Sequence, residues 1–224
     1  MPSTNDLTEL APHIHQAALD PHLSIESLNE ICDASRHCNF SGFCTNLSRL
    51  SAARERLGSC GKTKLIAVIA FPFGFIPSEQ KQAEAEWAAE KGAEELDVVP
   101  NFFALAQGKP DTFSNELAKI CEIVLPIRVI LDLANISNEN ISLAVEASID
   151  AGVHGLQTGN GFGRGVMASD VRQLADLARG RCEIKAVGGI KTQNHALELI
   201  KAGAKKIGTT FGPQLIRNLP KQTQ

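Results

Sequence analysis

Three stretches of the chain carry residue types that could do chemistry. The first, Gly155-Leu156-Gln157-Thr158-Gly159-Asn160-Gly161-Phe162, sets the amide of Gln157 among apolar and small neighbours. An amide has no titratable amine, so it hydrogen-bonds to a carbonyl but does not add to it to form an iminium. The second and third are Gly188-Gly189 and Gly208-Thr209-Thr210, each following an apolar run. Glycines let backbone N–H groups approach an anion closely, so at these places they read as a phosphate cradle that Asn160 or Gly161 completes. The same glycines would turn tight loops whether or not an anion binds. Arg164 is either an added anion contact or a solvated surface charge.

Metal chemistry finds little support. The six cysteines, Cys32, Cys38, Cys44, Cys60, Cys121 and Cys182, include no Cys-x-x-Cys pair and no matched histidine pair, so reduced and mostly buried thiols are expected. His13-x-His15 would put two imidazoles on one side of a strand, but no third ligand accompanies them. No metal and no cofactor are expected.

The elements that must position these residues alternate. Eight short apolar segments read as strands: Ile14 to Leu19, Gly42 to Thr45, Leu65 to Phe71, Glu95 to Val99, Ile127 to Asp132, Gly155 to Thr158, Glu183 to Val187 and Lys206 to Thr209. Between them run helical stretches. Ser24 to His37 opens on an N-cap serine and carries Ile25, Leu28, Ile31 and Cys32 at helical spacing. Glu79 to Lys91, Asn138 to Ala151, Ser169 to Ala178 and Gln193 to Ala202 each end near a glycine, at Gly92, Gly152, Gly180 and Gly203. Repeated strand–helix units without an interrupting linker predict a parallel (β/α)8 barrel of the α/β class, one domain over residues 1–224.

Composition excludes several other classes. With 43% hydrophobic and 21% charged residues and no apolar run near membrane-span length, a membrane protein is not expected. The polar start, Met1 to Leu10 with Asp6 and Glu9, lacks the basic and apolar pattern of a secretory signal, so a cytoplasmic location is expected. A formal net charge of -3 gives no reason to expect a nucleic-acid partner.

Taken in order, Glu94-Glu95-Leu96-Asp97-Val98-Val99, the Gln157 stretch, and Ile184-Lys185-Ala186-Val187-Gly188-Gly189-Ile190-Lys191-Thr192 resemble the deoxyribose-phosphate aldolase family. Further similar pieces are Phe43-Cys44-Thr45, Ala70-Phe71-Pro72-Phe73-Gly74 with Lys81 and Glu84, Arg128 to Asp132, and Ala202 to Thr210, so the resemblance spans nearly the whole chain. It implies a class I aldolase barrel. In that family a strand-six lysine forms an iminium with acetaldehyde, a strand-seven lysine stands beside it, and a strand-four aspartate helps move protons. Asp97 matches the aspartate and Lys185 the second lysine, while Gln157 occupies the Schiff-base position. Where the family usually carries Ile-Asp-His-Thr-Leu-Leu on strand one, this chain has Ile14-His15-Gln16-Ala17-Ala18-Leu19, and the Thr-Ser-Thr-Gly-Phe loop becomes Thr158 to Phe162 with Asn160 inside it.

The resemblance implies a small phosphorylated metabolite as ligand, with Thr209 and Thr210 standing where the family places small hydroxyl residues and Thr158 opening the matching strand-six loop, and a homodimer or other protein partner, while Gln157 implies that Schiff-base turnover is lost or strongly reduced, leaving a regulatory or assembly role. An active lyase that splits 2-deoxyribose 5-phosphate into glyceraldehyde 3-phosphate and acetaldehyde, with Lys185 as the amine, is the alternative. Without a second lysine, Lys185 near Asp97 is expected to stay an ammonium, either as an inherited ion pair or as part of a ligand site. Cys44 is expected to pack in the interior, and Asp132 either to stand as a second polar wall beside Arg128 and Asp97 or to balance charge inside the barrel.

Overall fold

The protein is described by a computed structural model covering residues 10–59 and 61–216. Most of the polar start and Cys60 therefore lie outside the described residues. Eight strands, β1 (Ile14–Ala18), β2 (Gly42–Thr45), β3 (Lys64–Ile69), β4 (Glu95–Val98), β5 (Ile127–Ile130), β6 (Gly155–Gln157), β7 (Glu183–Val187) and β8 (Lys206–Thr209), run in sequence order around a closed barrel. Every pair is parallel, and β8 returns to β1 through Ile14↔Ile207 and His15↔Gly208. This is the (β/α)8 barrel that the alternation predicts. Parallel strands covered on both faces must be apolar on both, and β3 is buried from Leu65 through Ile69.

The covering helices are α1 (Ile25–His37), α2 (Leu50–Leu57), α3 (Ser78–Glu90), α4 (Phe102–Ala106), α5 (Pro110–Cys121), α6 (Asn138–Asp150), α7 (Ala168–Ala178), α8 (Gln193–Lys201) and α9 (Gly212–Ile216). Their starts follow from capping: the hydroxyls of Ser24, Ser137 and Thr192 accept hydrogen bonds from the backbone N–H of Ser27, Asn140 and His195. Gly92 takes φ 86° just past α3, a backbone state in which a Cβ would be strained. Helices α2, α4, α5 and α9 are additional to those the sequence periodicity predicts. For α5 the signal was present, with Pro110 in the first turn and Phe113, Leu117 and Ile120 buried on one face.

The main hydrophobic core fills the space between barrel and helices, and a small second cluster of Cys44, Ile66 and Val68 lies apart from it. A buried ion pair between Lys81 and Glu116, 2.8 Å long, ties α3 to α5. Three strand glycines make room for polar side chains. A Cβ on Gly42 would sit 2.8 Å from the ring of His15, one on Gly155 3.3 Å from Arg128 Nε, and one on Gly208 3.0 Å from Lys185 Cε. The polar interior therefore depends on what its neighbours lack.

Candidate active site

Asp97 comes from β4, Arg128 from β5 and Lys185 from β7, all almost fully buried. The Arg128 guanidinium donates to Asp97 Oδ1 at 2.7 Å, and the Lys185 ammonium to Oδ2 at 2.5 Å. Arg128 also reaches Glu95 Oε2 at 3.2 Å, so one carboxylate stands between two cations and a second balances the arginine. Burial pushes the Asp97 carboxyl up, but the charges of Lys185 and Arg128 and their hydrogen bonds outweigh it and hold the group below its ordinary value. Asp97 is an anion here, and its Oδ2 is already engaged by the lysine that would have to attack a carbonyl.

Three further groups surround this cluster. Burial pushes the Cys44 thiol up to about 12, and its Sγ donates to Asp97 Oδ2 at 3.8 Å, so it is a packing group and not a thiolate nucleophile. Burial, reinforced by the positive charges of Lys185, Arg128 and Lys206, holds His15 well below the usual histidine value, which makes it a neutral imidazole. Gln157 donates from Nε2 to the carbonyl of Gly159 at 2.7 Å.

All of these side chains except Arg128, Glu95 and Lys206 line a cavity of about 340 Å³ at the C-terminal ends of the strands, the face on which barrels of this architecture carry their sites. Among residues singled out from the sequence, His15, Cys44, Asp97, Gln157 and Lys185 meet there. Gly188, Gly189, Gly208, Thr209 and Thr210 form the wall contributed by β7 and β8, and Asn160 and Gly161 reach it from β6. Several of these groups are committed within the chain. The Thr209 hydroxyl donates to Ile190 O and accepts from Phe211 N, and Asn160 binds Pro72 O and Phe162 N. Their side chains shape the loops, which leaves glycine backbone to meet a ligand.

Other expectations need correction. Thr158 does not line this cavity: its hydroxyl donates to Val187 O and accepts from Val187 N, strapping β6 to β7. Asp132 lies past the end of β5 in a small cleft that adjoins the cavity across Asn160, Gly161 and Gly188, where it accepts from Asn135 Nδ2, so it is no second wall beside Asp97. Arg164 is held by both oxygens of Asp170, at 2.7 and 2.8 Å, and Asp170 Oδ2 also accepts from Met167 N at the start of α7. His13 falls in a 3-10 turn before β1 and binds Lys205 O, so it shares no strand face with His15. Among the described residues no group of three or more His, Cys, Asp or Glu side chains is placed to hold a metal ion.

Sequence reasoning missed Gln16 and the aromatic mouth. Gln16 donates to Thr210 O at 3.1 Å and accepts from Gly212 N at 3.0 Å, tying β1 to the loop after β8. Phe71 and Phe162 line the cavity and pack with ring centroids 5.9 Å apart, and Phe73 continues the cluster outward from Phe162 at 6.3 Å.

No family model matches the chain. Individual proteins do. It is 37% identical over 214 residues to a deoxyribose-phosphate aldolase of Thermosynechococcus vestitus, covering 95% of this chain and 98% of that one. It is 33% identical over 218 residues to one of Thermococcus kodakarensis, covering 95% and 97%. Among solved structures, an aldolase named QR15 superposes with a TM-score of 0.88 at 34% identity over 93% of this chain and 94% of its own. The deoxyribose phosphate aldolase of Aeropyrum pernix, described as a unique tetramer, superposes with a TM-score of 0.84 at 28% identity over 99% of this chain and 100% of its own. With such identity over nearly the full length of both partners, the chain belongs to the deoxyribose-phosphate aldolase family.

Proposed function

We propose that this barrel binds a short phosphorylated sugar or aldehyde of the deoxyribose 5-phosphate class, and that Schiff-base cleavage in it is lost or strongly reduced. The phosphate belongs against the backbone of Gly188, Gly189 and Thr210, and the carbon end points down toward Gln157, Lys185 and Asp97. One observation carries the loss of turnover: the residue beside Lys185 on the neighbouring strand is an amide, while Lys185 itself is ion-paired with Asp97 at 2.5 Å. The repulsion between two ammonium groups that frees an amine at neutral pH has no second partner here. Among the described residues lining the cavity Lys185 is the sole lysine.

The names of the relatives favour a second reading, an active deoxyribose-phosphate aldolase working through Lys185. Its amine, after giving a proton to Asp97, would add to C1 of the open-chain sugar and lose water to form the iminium. Cleavage of the C2–C3 bond would then release glyceraldehyde 3-phosphate and leave an enamine, which takes a proton and is hydrolysed to acetaldehyde. Borohydride reduction in the presence of acetaldehyde, with mass mapping of the peptides, separates the readings. No adduct together with saturable sugar-phosphate binding is the expected result; an adduct on Lys185 with brisk cleavage of 2-deoxyribose 5-phosphate would establish the second. A homo-oligomer is the assembly this reading assigns. The cytoplasm is its compartment, in keeping with the free thiols of Cys32, Cys44, Cys121 and Cys182.

A further inference from the structure

The floor of the cavity has hydrogen-bonding capacity that the chain does not use. Asp97, Lys185 and Arg128 engage one another, but His15, only 1% exposed, has no partner on either ring nitrogen. Gln157, 4% exposed, spends Nε2 on the Gly159 carbonyl and has no partner for Oε1. The orientation of this amide is fixed by chemistry, because only its N–H side can face a carbonyl oxygen. Buried polar atoms are nearly always paired, so two such side chains on one cavity point to a ligand group that pairs them.

Both lie on one arc of the barrel wall. Gln157 is the register partner of Lys185 across β6 and β7. The Lys185 side chain passes over Gly208, where a Cβ would stand 3.0 Å from its Cε, and Gly208 is in turn the register partner of His15 across β8 and β1. A neutral imidazole presents one N–H and one lone pair, and the amide oxygen presents only lone pairs. A bare carbonyl oxygen would satisfy the imidazole N–H but leave Gln157 Oε1 facing another acceptor. A hydroxyl matches both, since it donates and accepts.

We propose that His15 and Gln157 recognise a hydroxyl group at the deep end of the ligand, its O–H donated to Gln157 Oε1 and its oxygen accepting from the His15 ring N–H. This rests on the sugar-phosphate reading above and narrows it. The form selected is the ring hemiacetal or the hydrated aldehyde, in which C1 carries an O–H, in place of the free aldehyde an iminium-forming site consumes. His15 and Gln157 are on this account specificity-determining residues, and both stand where the chain departs from the family pattern.

Calorimetric titration of the purified protein tests it with two probes: 2-deoxyribose 5-phosphate, and its tetrahydrofuran analogue, which keeps ring and phosphate but carries no oxygen on C1. The parent is expected to prefer the hydroxyl-bearing sugar about tenfold, the usual return on a buried hydrogen bond to a neutral group. Gln157→Met, close in size but without a carboxamide, brings the ratio to about one, and so does His15→Leu; His15→Asn, which keeps a donor and an acceptor, restores part of it. Circular dichroism identifies any variant that does not fold, and the parent's own ratio is read without variants. Equal affinity for the two probes in the parent, or a tenfold ratio surviving in both variants, overturns the hydroxyl assignment while leaving the sugar-phosphate reading in place. Failure of both probes to bind at all overturns the two together.

Discussion

Gln157 and Lys185 are register partners on β6 and β7, and both line the same cavity. A lysine at position 157 would therefore bring a second ammonium beside the first. Like charges in a buried site lower each other's pKa, which restores the condition under which one amine is free to add to a carbonyl.

Gln157→Lys is accordingly expected to raise cleavage of 2-deoxyribose 5-phosphate by at least about a hundredfold over the parent, in the range a positioned covalent nucleophile supplies. The acetaldehyde adduct trapped by borohydride should map to residue 157. A coupled assay for glyceraldehyde 3-phosphate reads the rate. If the variant folds and gains neither rate nor adduct, the site has diverged beyond its nucleophile, and His15 is the first place to look.

Asp97 holds two buried cations, Arg128 at 2.7 Å and Lys185 at 2.5 Å. Removing the shared anion strands Lys185 away from water and leaves Arg128 only Glu95, at 3.2 Å. Asp97→Ala is expected to cost about 3–5 kcal/mol and to lower Tm on the order of 10 °C for a protein of this size. The double change Asp97→Ala with Lys185→Met should recover part of that loss, because one stranded charge goes with it. Thermal melts of the two variants check this, and a Tm within about 2 °C of the parent for Asp97→Ala would contradict the ion-pair account.

Gly188 follows β7 with φ 130°, and a Cβ there would stand 3.1 Å from the backbone nitrogen of Val166. That nitrogen donates to Gly188 O, so the two loops are held face to face where the phosphate is placed. Gly188→Ala should open this contact, costing about 1–3 kcal/mol of stability from backbone strain and weakening inorganic phosphate binding by about tenfold or more. Calorimetry with phosphate alone is sufficient. An unaltered phosphate Kd in a folded variant would remove the β7 loop from the anion site.

The barrel was legible because its signals are local: apolar β-branched runs, capping hydroxyls at Ser24 and Thr192, and glycines where helices stop. The strand ends came within a residue or two of those observed, and β2, β7 and β8 agreed in full. The residues around the cavity were nameable only through their similarity to a family, since Asp97 and Lys185 meet across 88 positions of sequence. What stayed hidden is the pairing of side chains. Nothing in the sequence announces that Asp170, six residues on, will take both terminal nitrogens of Arg164, and nothing near Thr158 shows that its hydroxyl closes on Val187. Asp132 reads as a strand residue by pattern, but β5 ends at Ile130 and Asp132 lies in the small cleft beside the cavity. Helix α5, by contrast, is legible in its proline start and apolar spacing.

His15 gives the fold a pH dependence of predictable sign. Its folded-state value lies well below the ordinary 6.5, chiefly through burial and then through the charges of Lys185, Arg128 and Lys206. The groups around it are thus cations, with Asp97 on the same cavity already taken up by two of them. Between the folded and unfolded values, the unfolded chain binds a proton that the native imidazole refuses, so native stability rises with pH there. The contribution is complete above the unfolded value and is lost as pH falls below it toward the folded value, at about 1.4 kcal/mol per pH unit. Denaturant unfolding at pH 7.5, 6.5 and 5.5 should show the parent weakening across the lower half of this range, and His15→Leu should remove that part of the slope. Asp97 does not confound the measurement, since its depressed value places its own loss below the ordinary 3.8 of a carboxyl. A slope that persists undiminished in His15→Leu would show that another group titrates there.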